Sequence, residues 1–197
     1  MKNWILGTTI LAAMAAGIGA APADAQDIPP KLIEEVRSWM TDPTVLITVR
    51  QWNETHASLT QAEIDELDQK WRAEVGTGKQ PLIAQITGAP LSNFLMRKKA
   101  KAGGRLIEAF VMDSKGLNVG VSSITSDYWQ GDEAKFQQTF DKGPNAIHYG
   151  EIEVKDDTGH RAQQVNMTIV DPETGKPIGA MTVEFDLNVV ALYEAGS

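Results

Sequence analysis

After Pro29-Pro30 the apolar residues recur at spacings of three and four, the period of a helix with one buried face. Leu32, Ile33, Val36, Trp39 and Met40 form the first such stripe. Thr41-Asp42-Pro43 ends it and begins another, because Asp42 can cap a helix whose first position suits Pro43. Val45, Val49, Trp52, His56 and Leu59 carry the second stripe. The β-branched run Thr44 to Val49 favours a strand by propensity, but the helical spacing persists for about four turns and decides the matter. Thr60-Gln61-Ala62-Glu63 is a capping box, and Ile64, Leu67, Trp71 and Val75 follow it on one face. Gly76-Thr77-Gly78 closes that helix, Pro81 to Thr87 and Pro90 to Lys101 predict two shorter ones, and Gly103-Gly104 ends the helical region.

The period then drops to two. Arg105 to Met112 alternates, Asp113-Ser114-Lys115-Gly116 is a turn, and Leu117 to Ser123 returns, so a hairpin is predicted. A stretch from Thr125 to Phe136 follows that lacks alternation and is interrupted by Gly131; it reads as a loop running into a helix that continues through Phe140. Ala146 to Val154, His160 to Val170 and Ile178 to Phe185 read as three further strands, joined by turns at Asp156-Asp157-Thr158-Gly159 and at Asp171 to Lys176. A short helix, Leu187 to Glu194, closes the pattern. Helices first, then five strands meeting through turns, predict an α+β domain: N-terminal helices packed on a five-stranded antiparallel sheet, from residue 26 to residue 197.

Residues 1–25 read differently. Lys2 is the only charge before Asp24, Trp4 to Ile18 is apolar or small, and Ala23-Asp24-Ala25 has the small-x-small form of a cleavage site. A signal peptide cleaved after Ala25, and hence a periplasmic or secreted protein, is expected; an uncleaved anchor is the competing reading, opposed by the scarcity of Leu and Ile. The formal net charge is -8, which argues against a nucleic-acid partner or an anionic membrane surface. With no cysteine there is neither a disulfide nor thiolate chemistry, so the core alone must hold the fold.

Catalytic signatures are missing. His56, His148 and His160 lack the short spacing of a metal site, and Glu151, Glu153, Asp156 and Asp157 lack the ligand spacing of a calcium loop. No nucleophile elbow, phosphate loop or dinucleotide fingerprint follows a predicted strand. No metal, no cofactor and no enzymatic activity are expected, although Asp127 and Asp132 leave paired-carboxylate hydrolysis open as a minor alternative. The candidate site is the loop: Thr125, Asp127, Tyr128, Trp129 and Asp132 mix aromatics with carboxylates as recognition surfaces do, with a plain core role for Trp129 as the competing reading. Gln164, Asn166 and Thr168 share one face of the fourth strand, opposite Val165, Met167 and Ile169. If the loop covers that face, amides and hydroxyls line a pocket beneath Trp129; if it does not, the face is simply solvated.

These residues carry a resemblance. The N-terminal helices, the hairpin Val111 to Val119, the segment Ser123 to Glu133 and the late Val170 to Ala180 with its Ile178-Gly179 pair resemble the Cache sensor domains, PAS-like extracellular modules. The likeness is to a single-Cache module over about Leu32 to Phe185. It implies a non-catalytic small-molecule sensor in which Tyr128 and Trp129 match the aromatics of the family's ligand loop and the polar strand face matches the pocket floor. It also implies a membrane-bound sensor or receptor as partner, since Cache domains usually continue into a transmembrane helix and this chain stops after Leu187 to Ser197. Lys135 is the only base between Thr125 and Phe140, whereas carboxylate-binding members commonly place an Arg there, so a lid with Asp127 and Asp132 favours a cationic or neutral ligand. An interaction module on the same frame, docking through Trp129, is the alternative function.

Overall fold

The computed structural model describes residues 27–196. The expected signal peptide over residues 1–25 and its cleavage after Ala25 lie outside the described residues.

Five helices come first: α1 (Pro30–Met40), α2 (Pro43–His56), α3 (Gln61–Glu74), α4 (Pro81–Thr87) and α5 (Pro90–Lys101). All but α3 begin with a proline in the first turn, where the missing N–H has no helical partner to lose. Thr44 N–H donates to the capping Asp42 carboxylate at 2.8 Å, and the Thr60/Glu63 capping box closes reciprocally at the start of α3. Periodicity prevails over propensity in α2, where Val45 and Val49 are fully buried.

The sheet follows: β1 (Leu106–Asp113), β2 (Asn118–Val121), β3 (Ile147–Tyr149), β4 (Glu153–Val154), β5 (Arg161–Val170) and β6 (Pro177–Asp186), with α6 (Ala134–Gln137) between β2 and β3 and α7 (Leu187–Ala195) at the end. The strands run in the order β2-β1-β6-β5-β3, every pair antiparallel, and the two-residue β4 is a second piece on the free side of β5. Five antiparallel strands under N-terminal helices, in PAS-like order, are the predicted α+β arrangement.

Two elements differ from the sequence pattern. The third strand is not continuous, because Tyr149 pairs with Val165 and Glu153 with Ala162, so four steps on one strand face three on the other. The extra residue is a bulge at Gly150–Ile152, where Gly150 N–H still donates to the Gln164 carbonyl. The helix expected through Phe140 stops at Gln137; the Thr139 hydroxyl bonds the Lys135 and Phe136 carbonyls, and a single 3-10 turn, Phe140–Lys142, takes over.

One face of the sheet is largely apolar. Val111, Val183, Val165 and Met167 pack there against Val36 and Trp39 of α1, Val49 of α2 and Leu95 of α5. The other face is apolar only toward one end, where Phe110, Met112 and Ala180 meet Trp71 of α3 and Ile83 and Ile86 of α4. Along β1 and β6 the same face continues through Thr182 and the cross-strand pair Glu108 and Glu184 to Asp186. That change of character sets where the helices can cover the sheet and where they cannot.

The β1–β2 turn is tied to α2 by a fully buried carboxylate. Asp113 accepts from the N–H groups of Lys115 and Leu117 at 2.9 and 3.0 Å, and its other oxygen lies 2.5 Å from His56 Nδ1. Asp113→Ala removes the acceptor of two backbone N–H groups and the carboxylate beside the buried His56, and should lower unfolding free energy by about 3 kcal/mol or more. Urea unfolding should show a reduced midpoint with an unchanged slope.

Candidate functional site

The loop between β2 and α6 is clamped from several sides. Asp68 of α3 accepts the N–H groups of Tyr128 and Trp129 at 2.8 and 3.0 Å, while its other oxygen takes Arg72 Nε at 2.7 Å. Trp71 Nε1 donates to the Thr125 carbonyl at 2.9 Å, and its ring stacks on Tyr128 with centroids 5.3 Å apart. The buried Asn118 amide donates to the Thr125 hydroxyl and the Asp127 carbonyl, both at 3.1 Å. Gln130 N–H reaches the Gly116 carbonyl at 2.8 Å, and Leu117 forms a β-bridge with Trp129. Gly116 has φ +80°, and a Cβ there would lie 2.7 Å from the Gly131 backbone; the hairpin turn and the loop fit together only through glycine.

Each residue singled out from the sequence now has a place. Tyr128 is buried in the core between Trp71 and the sheet, where burial pushes its hydroxyl well above the usual tyrosine range. Trp129 is half-buried, donates from Nε1 to the Lys115 carbonyl at 2.9 Å, and packs against Gly131. Asp132 is exposed. Thr125 and Asp127 line a cavity of about 420 Å³ between the loop and the charged end of the sheet. Gln164 and Asn166 line a different one, of about 430 Å³, with His148, Glu151 and Glu153 and with Glu133 and Lys135 from the end of the same stretch. Thr168 is buried, its hydroxyl without a partner among the described residues. The stretch therefore meets the polar face of β5 through Glu133 to Lys135 and not through Trp129, which lines neither cavity. Nor is that face simply solvated: Gln164 is half-buried, Thr168 is buried, and Asn166 is fully buried, bonded to Thr182 at 2.8 Å and to the His148 carbonyl at 3.1 Å.

The cavity under the loop has residues that the sequence pattern did not single out. Its floor is Glu108 and Phe110 of β1 with Glu184 and Asp186 of β6; its roof is Ile124 to Asp127 and Gln130; Lys135, Lys155 and the turn at Asp157-Thr158 form the sides. Lys155 Nζ holds Glu184 Oε1 at 2.6 Å; burial works most strongly against this ammonium, but the bond to Glu184 and the charges of Glu184, Glu153 and Glu108 together keep the group above the usual lysine range. Lys135 bonds Glu133 at 3.0 Å and the Gln130 side-chain oxygen at 3.2 Å, and lies 5.5 Å from the centre of the Phe110 ring. Asp127 is answered by Arg72 at 3.2 Å. Asp186 sits 2.6 Å from His160 Nδ1; burial opposes its charge, but that contact and the N–H groups of Val189 and Asn188 hold it below the usual carboxylate range. The side chain of Glu108 has no hydrogen bond or ion pair with a described residue, and burial together with Glu184 raises its carboxyl above the usual range. Charged residues at inward positions of both strands were the available signal, since Glu108 alternates in phase with Phe110, and Glu184 in phase with Thr182.

Among the described residues, no three His, Asp or Glu side chains are grouped to hold a metal ion, and no helix is long and apolar enough to cross a membrane. His56 and His160 each contact one carboxylate, and His148 contacts Asn166.

No family model and no curated protein matches the chain. Among solved structures it is similar to the sensor domain of the Vibrio cholerae histidine kinase DctB, at 11% identity and a TM-score of 0.39, over 74% of this chain and 57% of that one. It is also similar to the ligand-binding domain of the Pseudomonas aeruginosa amino-acid chemoreceptor PctC in complex with GABA, at 11% identity and 0.41, over 82% and 62%. A third is the ligand-binding domain of the Campylobacter jejuni chemoreceptor Tlp3 in complex with L-valine, at 14% identity and 0.40, over 83% and 68%. The chain thus spans less than two thirds of the length of the first two.

The raised carboxyl of Glu108 fixes a sign. Folding takes up a proton between the ordinary glutamate value and the raised one, so the stabilisation from the protonated form is complete below that window and is lost as pH rises through the raised value. Glu108→Gln should therefore melt about 2–4 °C higher than wild type at neutral pH, a difference that closes on acidification below the glutamate range. Thermal melts of both proteins across pH test this.

Proposed function

We propose that the chain is an extracytoplasmic small-molecule sensor module of the Cache type, binding its ligand without chemistry in the cavity under the loop and passing ligand status to a membrane-bound partner. The observation that carries the reading is that cavity: about 420 Å³ between a roof held by fixed hydrogen bonds and a floor of paired charged strands, with Phe110, Ile107 and Ile124 as its apolar wall. Thr125, Asp127 and Gln130 from the roof, Glu108 and Glu184 from the floor, and Lys135 and Lys155 from the sides are the contacting groups in this proposal. Tyr128 and Trp129 serve it by anchoring the roof. The charged groups are tied into pairs or left facing the cavity, an arrangement suited to orienting a polar ligand. The reading is of the same kind as the sensor and ligand-binding domains named above but rests on the cavity, not on that similarity.

One observation favours a docking reading instead. An apolar groove of about 650 Å³ runs along α2 beside the start of α5, lined by Pro43, Ile47, Trp52 and Pro90, and Ile47 is 61% exposed.

A thermal-shift screen of the purified protein against amines, amino acids, organic acids and purines separates the two. A ligand at 100 times its dissociation constant should add about 2.7 kcal/mol of stability. Ile107→Trp, which fills the cavity, should abolish that shift while melting near wild type. Absence of a shift from every compound, or a shift unaffected by Ile107→Trp, contradicts the assignment.

A further inference from the structure

We propose that the ligand of this cavity is an organic cation whose ammonium group sits between the carboxylates of Glu108 and Glu184; the inference rests on the reading of the cavity as a ligand site. The two residues are direct cross-strand partners, Glu108 on β1 opposite Glu184 on β6, and both line the cavity. Like charges placed opposite each other across a strand pair repel, and a carboxylate removed from water needs a counter-charge. Only one is supplied. The Glu184 side chain is 5% exposed and bonds Lys155 through Oε1, while its second oxygen accepts nothing from a described residue. The half-buried Glu108 carboxyl accepts nothing from a described residue.

The other charges around the cavity do not fill that deficit. Lys135 is bonded to Glu133 and Gln130, Asp127 to Arg72, and Asp186 to His160. Lys135, Lys155 and Lys99 lie near enough to pull the Glu108 carboxyl down, yet burial and Glu184 outweigh them. An ammonium group brings several N–H donors and one positive charge, which matches one free carboxylate beside one half-used one. A bare divalent ion would need more oxygen ligands than two carboxylates give, and no three acids are grouped here among the described residues. An anionic ligand group at this point would meet both glutamates. The hydrocarbon part of an amine has Phe110, Ile107 and Ile124 to lie against.

The test is titration calorimetry with charge-matched probes: phenethylamine against phenylpropionate, putrescine against succinate, and choline. At least one amine should bind, Glu108→Gln should weaken it about tenfold or more, and neither carboxylate should bind. Wild-type affinity for the amine should fall on acidification as Glu108 takes up its proton, whereas the Glu108→Gln variant should show a flat profile. Since Gln is isosteric and its melt checks folding, a loss of binding is not a loss of structure. If a carboxylate binds, or an amine binds equally well to Glu108→Gln, the cation assignment is overturned; where Ile107→Trp still abolishes that binding, the cavity reading stands. If no probe of either charge binds and the wider screen is also silent, the cavity reading falls with it.

Discussion

A sheet covered on both faces must bury nearly every strand position, and here two neighbouring strands carry carboxylates at one end of a face that is apolar at the other. Phe110 and Met112 of β1 and Ala180 of β6 can take helices against them, and α3 and α4 pack there. Glu108, Glu184 and Asp186 cannot be covered by apolar helix without a large desolvation cost. Ion pairs, a polar loop and a cavity meet that end of the sheet instead. The fold's division into core and candidate site follows from this one change of side-chain character along β1 and β6.

The roof over the cavity is hydrogen-bonded to the elements on either side of it. Asp68 satisfies two consecutive loop N–H groups, Trp71 both stacks on Tyr128 and donates to Thr125, and the buried Asn118 bridges Thr125 and Asp127. Each bond contributes about 0.5–1.5 kcal/mol, and those to charged groups more. Together they make the loop an extension of α3 and of the β1–β2 hairpin. The consequence for binding is preorganisation: little of the interaction with a ligand is lost in ordering the groups that receive it. The same bonds join the loop to α3 through Asp68, and the hairpin turn to α2 through the buried Asp113–His56 contact.

What was readable in the sequence is what is set by local pattern. The helical stripes, the Asp42 and Thr60 caps, the hairpin around Gly116 and the order of elements depend on residues a few positions apart, and each is found where the pattern places it. Face assignment on β5 was equally local, since Val165, Met167 and Ile169 alternate with Gln164, Asn166 and Thr168. The bulge at Gly150–Ile152 was not readable, because it exists only as a mismatch between two strands' registers. The direction of the loop aromatics was hidden for a related reason: Tyr128 turns inward because Trp71, fifty-odd positions earlier, offers it a stacking surface. The Glu108–Glu184 pairing needs the long-range β1–β6 register, and neither residue sits in a motif. The loop was legible as a candidate site from its composition, while the opposite wall was set by tertiary pairing.

The central claim is that the space between the loop and the charged end of the sheet is where a small molecule is held. Amide hydrogen exchange on the protein, with and without a compound that shifts its melting temperature, tests it directly. Added protection should be confined to residues 124–130, the first half of β1 and the last half of β6. Protection along α2 and the start of α5 instead, or exchange unchanged at the loop and at Glu108 and Glu184, would contradict the account.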